Sequence, residues 1–403
     1  MILLAGADLV LPDRILTAGT IAIEADRIVE ILPGGPPSAD GAARVDLRGH
    51  YLVPGFIDVH VHGVAGTDAL DGPEAIGVMA ARLPRYGVTA FCPTSVASTP
   101  ETLDRMLRAV AAARASGPAG ARVLPAHVES NFINPEYRGA QPADCLRRPT
   151  GLAGSTDYTG ADVLAVIERA RPDVGILTLA PELPGGLDLV RTLTGWGIRV
   201  SLGHSGATFD EALAAVAAGA CHATHLFNRM SPMRSREPGL AGAVLQSDDV
   251  AAEIVCDGVH VHAAVVRVAI AAKHPSRVMA ITDGTAASGL PRGATAELGG
   301  RRITAREAAF LDDGTMAGSV LTMDGAFACL VTRVGLSPID AATVCATTPA
   351  RELGLHGHGV IAVGAVADLA VLDRDLRVVQ TYVGGELIYS RNEERRNERT
   401  RDE

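Results

Sequence analysis

The stretch that decides the fold is Val53-Pro-Gly-Phe-Ile-Asp-Val-His-Val-His-Gly63. It is a short apolar run that ends in two histidines, which is typical of a buried strand with polar side chains at its carboxyl end. Alternate residues of a strand point to the same face, so His60 and His62 are expected to project together. Imidazole nitrogen atoms bind zinc and other borderline divalent metals. The pair therefore suggests a metal site, although an isolated pair of this kind is more often structural.

Outward from this stretch, residues 54–358 alternate short apolar runs with helical patterns. Helices between strands predict parallel pairing, and eight such units predict an α/β fold of the TIM type, a (β/α)8 barrel. The expected strands cover residues 56–63, 89–94, 123–130, 175–182, 198–205, 223–228, 254–260 and 278–285. The expected helices cover residues 73–86, 101–115, 160–171, 187–195, 209–218 and 262–274.

The two ends of the chain share a different pattern. Residues 1–53 and 359–390 contain short β-type runs that Gly, Pro and Asp separate. This pattern predicts one small β-sandwich domain built from both chain ends, with the barrel inserted between them. Residues 391–403 are almost wholly charged, so a tail that is disordered in solvent is expected there.

Length and composition narrow the class of protein. The chain has 403 residues, 47% of them hydrophobic, which is enough for a large core. A net charge of −10 and an aromatic content of 3% argue against a nucleic-acid partner. No apolar stretch approaches the roughly 18 residues that a membrane helix needs, so no membrane association is expected. The six cysteines form no CxxC pair, so free thiols and a cytoplasmic location are expected.

Further metal-ligating residues follow the expected strands. Glu129 ends the third strand, His204 ends the fifth, His225 lies in the sixth and Asp283 ends the eighth. Barrel enzymes place their sites at this face, and polar groups clustered in a barrel mouth cost stability unless they are paired or liganded. These positions turn the weak signal of the histidine pair into the prediction of a metal centre.

The ligand types indicate hydrolysis. A divalent metal lowers the pKa of bound water and polarises a carbonyl group, and a neighbouring carboxylate can move the water proton to a leaving nitrogen. Asp283 is the candidate for this proton transfer. A role as a metal ligand remains open for the same residue, and the two roles are compatible.

Several longer motifs identify a family. Together with the stretch 53–63 and the closing segment Gly364-Ala-Val-Ala-Asp-Leu-Ala370, they make the chain resemble the amidohydrolase superfamily and, within it, the N-acetylglucosamine-6-phosphate deacetylase branch. The motifs are Thr224-His-Leu-Phe-Asn228, Arg236-Glu-Pro-Gly239, Cys256-Asp-Gly-Val-His260, Thr282-Asp283, Ala317-Gly-Ser319 and Thr322-Met323.

The resemblance implies a reaction and a cofactor. The reaction is hydrolysis of the N-acetyl group of an amino sugar, by default of N-acetylglucosamine 6-phosphate to glucosamine 6-phosphate and acetate. Asp283 would be the general acid and base. Glu129, His204 and His225 would hold the main metal, and the pair at 60 and 62 would hold a second one. One or two divalent ions per subunit are implied, with zinc as the default and iron, cobalt, manganese and cadmium as alternatives.

The resemblance also implies substrate contacts. His260 would be a catalytic residue that polarises the acetyl carbonyl, and Asn228 would contact the sugar or its phosphate. Arg236 would bind phosphate in the site of a neighbouring subunit, which implies a homodimer; arginine grips phosphate in a bidentate way. Gln141 and Ser319 complete the expected substrate contacts.

The chain departs from the family pattern next to the expected site. Ser130 and Asn131 replace a Gly-Pro pair, and Arg229 replaces a small residue. These changes on an expected substrate rim favour, as an alternative, a deacetylase of a different N-acetylated sugar or conjugate, for example in a specialised biosynthetic pathway. A metal-free scaffold protein is a third hypothesis, which the complete ligand set disfavours.

Overall fold

A computed structural model describes residues 1–34, 43–149 and 157–394. Within these residues the strands are β1 (Ile2–Val10), β2 (Ile15–Glu24), β3 (Arg27–Leu32), β4 (Ala43–Asp46), β5 (Tyr51–Pro54), β6 (Phe56–Val61), β7 (Gly63–Val64), β8 (Thr67–Asp68), β9 (Val88–Ser95), β10 (Arg122–Val123), β11 (Ala126–Glu129), β12 (Val174–Leu179), β13 (Arg199–Leu202), β14 (His222–Ala223), β15 (Ala251–Val255), β16 (Val278–Ile281), β17 (Thr295–Leu298), β18 (Arg301–Ala305), β19 (Ala309–Leu311), β20 (Leu369–Leu372), β21 (Val378–Val383) and β22 (Glu386–Ser390).

The helices lie mostly between the parallel strands. They are α1 (Ala75–Arg82), α2 (Pro100–Ser116), α3 (Gly160–Arg169), α4 (Gly186–Gly195), α5 (Phe209–Ala217), α6 (Gly239–Gln246), α7 (Ala263–Lys273), α8 (Met323–Cys329), α9 (Pro338–Ala342) and α10 (Thr348–Glu352). Short 3-10 helices cover Leu83–Tyr86, Pro135–Tyr137, Ala143–Cys145, Arg171–Asp173 and Pro275–Arg277, and π-helical turns cover Leu330–Val334 and Thr343–Thr347.

Eight parallel strands form a closed barrel. The order is β6, β9, β11, β12, β13, β14, β15 and β16, with each strand paired to the next. A parallel bridge between Val61 and Gly284 closes the ring, and the amide of His62 donates to the carbonyl of Gly284 at 2.8 Å. The predicted (β/α)8 fold is therefore confirmed, and its closure places the carboxyl ends of all eight strands around one mouth.

The sequence explains why the helices pack against the barrel and where they begin. Along α2 the buried residues Leu103, Met106, Leu107 and Val110 recur at helical spacing, so one face of the helix is apolar. Thr99 begins this helix by accepting a hydrogen bond from the amide of Thr102. Capping boxes begin α3 and α5 in the same way, with an acidic residue three positions after the threonine.

The chain ends form one small domain around its own apolar core. Strands β1 to β5 and β20 to β22 join in a single, mostly antiparallel eight-stranded sheet. The two ends meet where β5 pairs with β20, so that Val53 lies opposite Ala370. A separate cluster of buried side chains, including Leu4, Ile21 and Tyr382, stabilises this sheet. The sheet therefore fixes β5 immediately before the strand that carries the histidine pair.

The expected disordered tail begins later than residue 391. Residues 391–394 are helical, the Arg391 side chain donates to the carbonyl of Val378 at 2.9 Å, and Glu394 pairs with Arg85 at 2.6 Å. These contacts hold the first turn of the tail against the molecule, which corrects the prediction for these four residues. Residues 395–403 lie outside the described residues. Within the described part of the chain, no helix combines the length and apolar character that a membrane crossing requires.

The periodicity does not predict helix α6, strands β17 to β19 or helices α8 to α10. Helix α6 follows the sixth barrel strand, and strands β17 to β19 form a small antiparallel sheet after the eighth. Leu298 of β17 and Ile303 of β18 pack with Val96 in a separate apolar cluster beside the barrel mouth. These strands alternate between buried and exposed positions over only three to five residues, so their sequence signal is weak.

Candidate metal centre

The predicted ligands meet at the carboxyl mouth of the barrel. His60 lies on β6 and Glu129 is the last residue of β11, whereas His204, His225 and Asp283 each lie two residues beyond a strand. The prediction that His225 lies within a strand is wrong, because β14 ends at Ala223.

The backbone is strained at the ligands that follow their strands. The φ angles are 48° at His204, 32° at His225 and 47° at Asp283, in the left-handed region that non-glycine residues rarely adopt. Such conformations cost about 1–3 kcal/mol each and persist only where the surrounding structure imposes them. Here they occur at three ligand positions, so the strain marks the mouth as a functional site.

Glu129, His204 and His225 form the first ligand group. The Glu129 Oε1 atom lies 2.8 Å from His204 Nε2 and 3.1 Å from His225 Nε2, and the two Nε2 atoms are 3.1 Å apart. Ligand atoms about 2.0–2.2 Å from one tetrahedral ion lie roughly 3.3 Å from one another. The three buried ligand atoms therefore have the spacing that a single divalent ion requires, and the donor set fits zinc or a similar metal.

A second ligand group adjoins the first through the same carboxylate. His60 Nε2 and His62 Nε2 are 3.2 Å apart, and Glu129 Oε2 lies 3.4 Å from the latter. Asp283 Oδ1 lies 3.3 Å from His62 Nε2 and 3.5 Å from His60 Nε2. Glu129 Oε1 contacts His204 and His225 and lies 3.8 Å from His60 Nε2, whereas Oε2 faces His62. One carboxylate therefore adjoins both ligand groups.

The electrostatics of the cluster fit a cation at its centre. Burial opposes ionisation of Glu129, but hydrogen bonds from His204, His225 and His62 hold the pKa of this carboxyl well below its usual range. Burial likewise disfavours the charged form of His62, yet hydrogen bonds with Asp283 and Glu129 raise its pKa to about 10. The Glu129 carboxylate therefore stays ionised and attracts positive charge into the mouth.

Backbone and side-chain groups around the centre orient the ligands. Nδ1 of His204 lies 2.8 Å from the carbonyl oxygen of Tyr137, and Nδ1 of His60 lies 2.9 Å from Glu253 Oε2. Because each Nδ1 is engaged, the Nε2 atom of both rings is the one available to a metal. Gln141, an expected substrate contact, donates from its amide to Glu129 while its oxygen accepts from the amide of Ala97 at 2.7 Å.

A cavity of about 490 Å³ opens onto the ligands. His260 lines it, and the Nδ1 atom of this ring lies 2.6 Å from Asp257 Oδ2, so Nε2 remains for a substrate. Asn228, Arg229 and Gln141 line the same cavity. The Arg229 guanidinium is exposed and makes no hydrogen bond or ion pair with any side chain in the described ranges. It is a free cation beside the candidate metal centre.

Two expected substrate contacts do not reach this cavity. Ser319 is fully buried, and its hydroxyl donates to the carbonyl of Thr282 at 2.6 Å, so it supports the Asp283 loop and does not face a ligand. Arg236 is exposed and lines a separate cavity with Tyr137 and Pro238.

The substitutions at 130 and 131 are not on a substrate rim. Both side chains are buried: the Ser130 hydroxyl donates to the carbonyl of Thr178 at 2.6 Å, and the Asn131 amide donates to the carbonyls of Ser98 and Cys145. They fix the backbone after Glu129. Of the three departures from the family pattern, only Arg229 faces the cavity.

Three further residues of the centre are not among the predicted ligands, catalytic residues or substrate contacts. Glu253, His127 and Asp58 are all buried beside the ligands, and Asp58 accepts a hydrogen bond from the Thr282 hydroxyl at 2.6 Å. Burial raises the pKa of Asp58 to about 7, even though Thr282 opposes that shift. The sequence does contain a signal for Glu253, because a single carboxylate inside an apolar strand needs a buried partner.

Ionisable ligands at the carboxyl mouth of a closed parallel barrel define a metal-dependent barrel enzyme. The model of the family described as "Amidohydrolase family" matches residues 51–388, and the chain belongs to this family. It is 33% identical over 392 residues to N-acetylglucosamine-6-phosphate deacetylase of Bacillus subtilis, covering 94% of this chain and 95% of the relative. It is 32% identical to N-acetylgalactosamine-6-phosphate deacetylase of Escherichia coli O157:H7, covering 83% and 87% of the two chains.

The structural comparison agrees with the family assignment. A mutant of N-acetyl-D-glucosamine-6-phosphate deacetylase from Mycobacterium smegmatis, in complex with N-acetyl-D-glucosamine-6-phosphate, superposes with a TM-score of 0.86. The two sequences are 32% identical, and the match covers 96% of this chain and 99% of the other.

Proposed function

We propose that this chain hydrolyses the N-acetyl group of an amino sugar phosphate, with N-acetylglucosamine 6-phosphate as the default substrate and glucosamine 6-phosphate and acetate as the products. The convergence of Glu129, His204 and His225 on one point at the barrel mouth carries the proposal. The names of the relatives supply the substrate class.

One or two divalent ions would bind at these ligands, with zinc as the default and iron, cobalt, manganese and cadmium as alternatives. Glu129, His204 and His225 would hold the first ion, and His60 and His62 would hold the second. A bound divalent ion supplies an acidic water near neutral pH and polarises an acyl carbonyl.

Asp283 moves the protons of the reaction. Its carboxylate lies beside the ligand histidines at 3.3 Å and 3.5 Å, where it can accept a proton from the attacking water. Burial alone would raise the pKa of Asp283, but a hydrogen bond with His62 and the charge of His60 lower it to about 2. The free enzyme therefore presents the base form. The new bond joins the water oxygen to the acyl carbon, the amide C–N bond breaks, and the proton passes to the leaving nitrogen.

His260 and the rim of the cavity orient the substrate. Asp257 accepts a hydrogen bond from Nδ1 of His260, so Nε2 is the ring nitrogen left for the substrate. When both ring nitrogens carry a proton, Nε2 donates to the acyl carbonyl oxygen. Asn228, Arg229 and Gln141 lie along the same cavity and are proposed as substrate contacts. Arg229 is the side chain best suited to a phosphate, because arginine binds phosphate through parallel N–H donors.

Arg236 is proposed to act in a neighbouring subunit. Its side chain is exposed and lies in a cavity apart from the metal ligands of its own chain. A homodimer in which this arginine reaches the partner's phosphate would give it a role. A cytoplasmic location is also proposed, since all six cysteines are free thiols.

A different N-acetylated sugar or conjugate is the second candidate substrate. Only Arg229 still supports it, because Ser130 and Asn131 are buried away from the cavity. An anionic substrate fits this unpaired guanidinium better than a neutral sugar does. A metal-free scaffold is disfavoured by the complete set of buried ligand atoms.

Steady-state acetate release from a panel of substrates tests the proposal. The panel contains N-acetylglucosamine and N-acetylgalactosamine, each with and without a 6-phosphate. We expect the highest kcat/KM for a phosphorylated sugar in the presence of zinc. Equal or faster turnover of an unphosphorylated sugar would reject the proposed substrate class, and no acetate from any member would reject the activity.

A further inference from the structure

Glu253 lies inside the barrel and contacts a single ligand histidine. Its side chain is fully buried on β15, and its Oε2 atom is 2.9 Å from Nδ1 of His60. The other oxygen, Oε1, has no hydrogen-bond partner among the described residues. Nδ1 of His127 lies 3.7 Å from Oε1. Burial of a carboxylate without a partner is costly, so a fully buried carboxylate with one close partner is expected to have a specific role.

His127 does not explain the position of Glu253. Nδ1 of His127 lies 3.1 Å from the carbonyl oxygen of Val59, and Nε2 lies 2.7 Å from the Thr178 hydroxyl. A carbonyl only accepts, so Nδ1 carries the proton and Nε2 accepts from Thr178. Both nitrogens are engaged. Although His60, His127 and Glu253 lie close enough to surround an ion, His127 has no free lone pair to offer one.

The contact with Glu253 determines which nitrogen of His60 faces the candidate metal centre. A carboxylate accepts hydrogen bonds, so it keeps the ring proton on Nδ1 and leaves the lone pair on Nε2. Nε2 of His60 is the atom that lies 3.2 Å from Nε2 of His62. Without Glu253, Nδ1 would have no acceptor in place, and the ring could turn or carry its proton on the wrong nitrogen.

The first ligand group does not depend on this carboxylate. His204 is oriented by the backbone carbonyl of Tyr137, at 2.8 Å, and both His204 and His225 contact Glu129 directly. Removal of Glu253 should therefore leave the Glu129, His204 and His225 group unchanged.

We propose that Glu253 is a positioning residue that commits His60 to the second ion and so sets whether a chain holds one divalent ion or two. This inference rests on the proposed function, because it assumes a metal centre at the barrel mouth. Partners that orient a metal-binding histidine typically contribute 10- to 100-fold to metal affinity. The second ion should accordingly be weakened by that factor when Glu253 is changed.

The test compares zinc binding by four proteins: the natural chain and the variants Glu253→Gln, Glu253→Leu and Met279→Leu. Met279 is the matched control, because it is equally buried, lies opposite Glu253 on β16 and belongs to an apolar cluster. Metal-free protein is titrated with zinc against a competing chelator, and bound zinc per chain is measured by elemental analysis.

We expect two ions in the natural chain and in Met279→Leu, and one in Glu253→Leu. In Glu253→Gln the amide oxygen can still accept a hydrogen bond from Nδ1 of His60, but it is a weaker acceptor than a carboxylate. This variant should therefore bind the second ion about 10- to 100-fold more weakly than the natural chain does, and the affinity for the first ion should be unchanged. If Glu253→Leu does not fold, Glu253→Gln still decides the question. The inference would be overturned if both Glu253 variants bound the second ion as tightly as the natural chain does. It would also be overturned if the natural chain bound only one ion. Failure of the proposed function would appear differently, as no acetate release from a chain that binds zinc normally.

Discussion

Asp283 combines two properties that a proton carrier needs. It contacts the ligand histidines, and its loop is fixed from below by Ser319, whose amide donates to the Asp283 carbonyl at 2.8 Å. General acid–base groups typically contribute 10²–10⁴-fold to a rate. We therefore expect Asp283→Asn to lower kcat for deacetylation by about 10²- to 10⁴-fold, measured by acetate release.

Metal content is the control for Asp283→Asn. The variant should retain at least the ion at Glu129, His204 and His225, because these ligands do not include Asp283. A kcat within a factor of a few of the natural value would contradict the proton-transfer role.

Arg229 is the residue on which substrate class depends. Its exposed guanidinium is free of ion pairs among the described residues and lines the cavity. Hydrogen bonds to a charged group contribute about 1.5–3 kcal/mol. We expect Arg229→Ala to raise KM for the 6-phosphate substrate by about tenfold or more, with a much smaller effect on the unphosphorylated sugar. Arg234→Ala is the control, since Arg234 is exposed on the same loop but faces Glu237. The same KM change in both variants would reject a specific phosphate contact.

The sequence predicted which residues meet at the barrel mouth, but it did not predict the direction of every side chain. Histidine and carboxylate residues at strand ends indicate a metal site because few other roles require them there. Ser319 and Asn131 carry no such signal, since a hydroxyl or an amide can face the cavity or satisfy a buried carbonyl, and here both do the latter. Glu253 was detectable as a lone charge within an apolar strand, but the sequence alone does not name its partner.

Among the elements, the loop after β19 supports the end of the eighth barrel strand. Gly318 has a φ of 76°, and a Cβ atom at this position would lie 2.8 Å from Thr285 Cγ2 and 2.9 Å from the Asp283 carbonyl oxygen. We expect Gly318→Ala to push the Asp283 loop out of position and to lower kcat by at least about tenfold, because proton transfer requires a positioned base.

Gly314→Ala is the control that separates the effect of backbone strain from the effect of displacing the Asp283 loop. Gly314 has a φ of 84°, and a Cβ atom at this position would meet no atom of the described residues within 4 Å. Its substitution therefore carries only the cost of a left-handed backbone, about 1–2 kcal/mol. Loss of stability is expected in both variants and loss of activity only in Gly318→Ala. Equal activity in the two would show that this loop does not position Asp283.

Asp368, immediately before β20, joins the small sheet to the barrel. Its carboxylate pairs with Arg122 at 3.2 Å and with His358 at 2.8 Å, and it accepts from the amide of Gly384 at 2.6 Å. Burial opposes ionisation, but His358 and Arg122 lower the pKa of Asp368 below its usual value. The folded state therefore binds this proton less readily than the unfolded state, whose aspartate titrates near pH 4.

The sign of the pH dependence follows from that difference. The stabilisation is complete above about pH 4 and is lost as the pH falls through the lower pKa of the folded state. Asp368→Asn should lower the free energy of unfolding at pH 7 by about 2 kcal/mol, and the deficit should shrink on acidification. Thermal unfolding at pH 7 and at pH 3.5 measures the loss of stability and its dependence on pH. Asp46→Asn is the exposed control, and a deficit in Asp368→Asn that does not change with pH would contradict the assignment.

The prediction of helices and strands succeeded where the hydrophobic pattern is periodic and failed where an element is short. Most barrel strands lie within a few residues of the prediction, because buried parallel strands are nearly continuous apolar runs. The sixth strand contains only His222–Ala223, since the chain turns at the residues that follow it. The seventh begins at Ala251 and not at 254, because Glu253 interrupts the apolar run from which strands are read.

At the scale of the whole molecule, closure of the barrel creates the candidate centre. The predicted ligands come from strands far apart in the chain. The bridge between Val61 and Gly284, with the backbone hydrogen bonds beside it, brings the first and last strands together. The sheet built from both chain ends then holds β5, and with it the start of β6, against the returning C-terminal segment. Composition and strand order were sufficient to predict this architecture, whereas the shape of the cavity depends on loops and on β17 to β19.

The measurement that tests the central claim most directly is a zinc titration of metal-free protein, with acetate release from N-acetylglucosamine 6-phosphate followed at each step. We expect no turnover without metal, and a rise in activity that saturates at one or two ions per chain. The same titration of His225→Ala should give little or no activity, because this histidine belongs to the first ligand group. Full activity in the metal-free protein, or no acetate release after the ions are bound, would contradict a metal-dependent deacetylase.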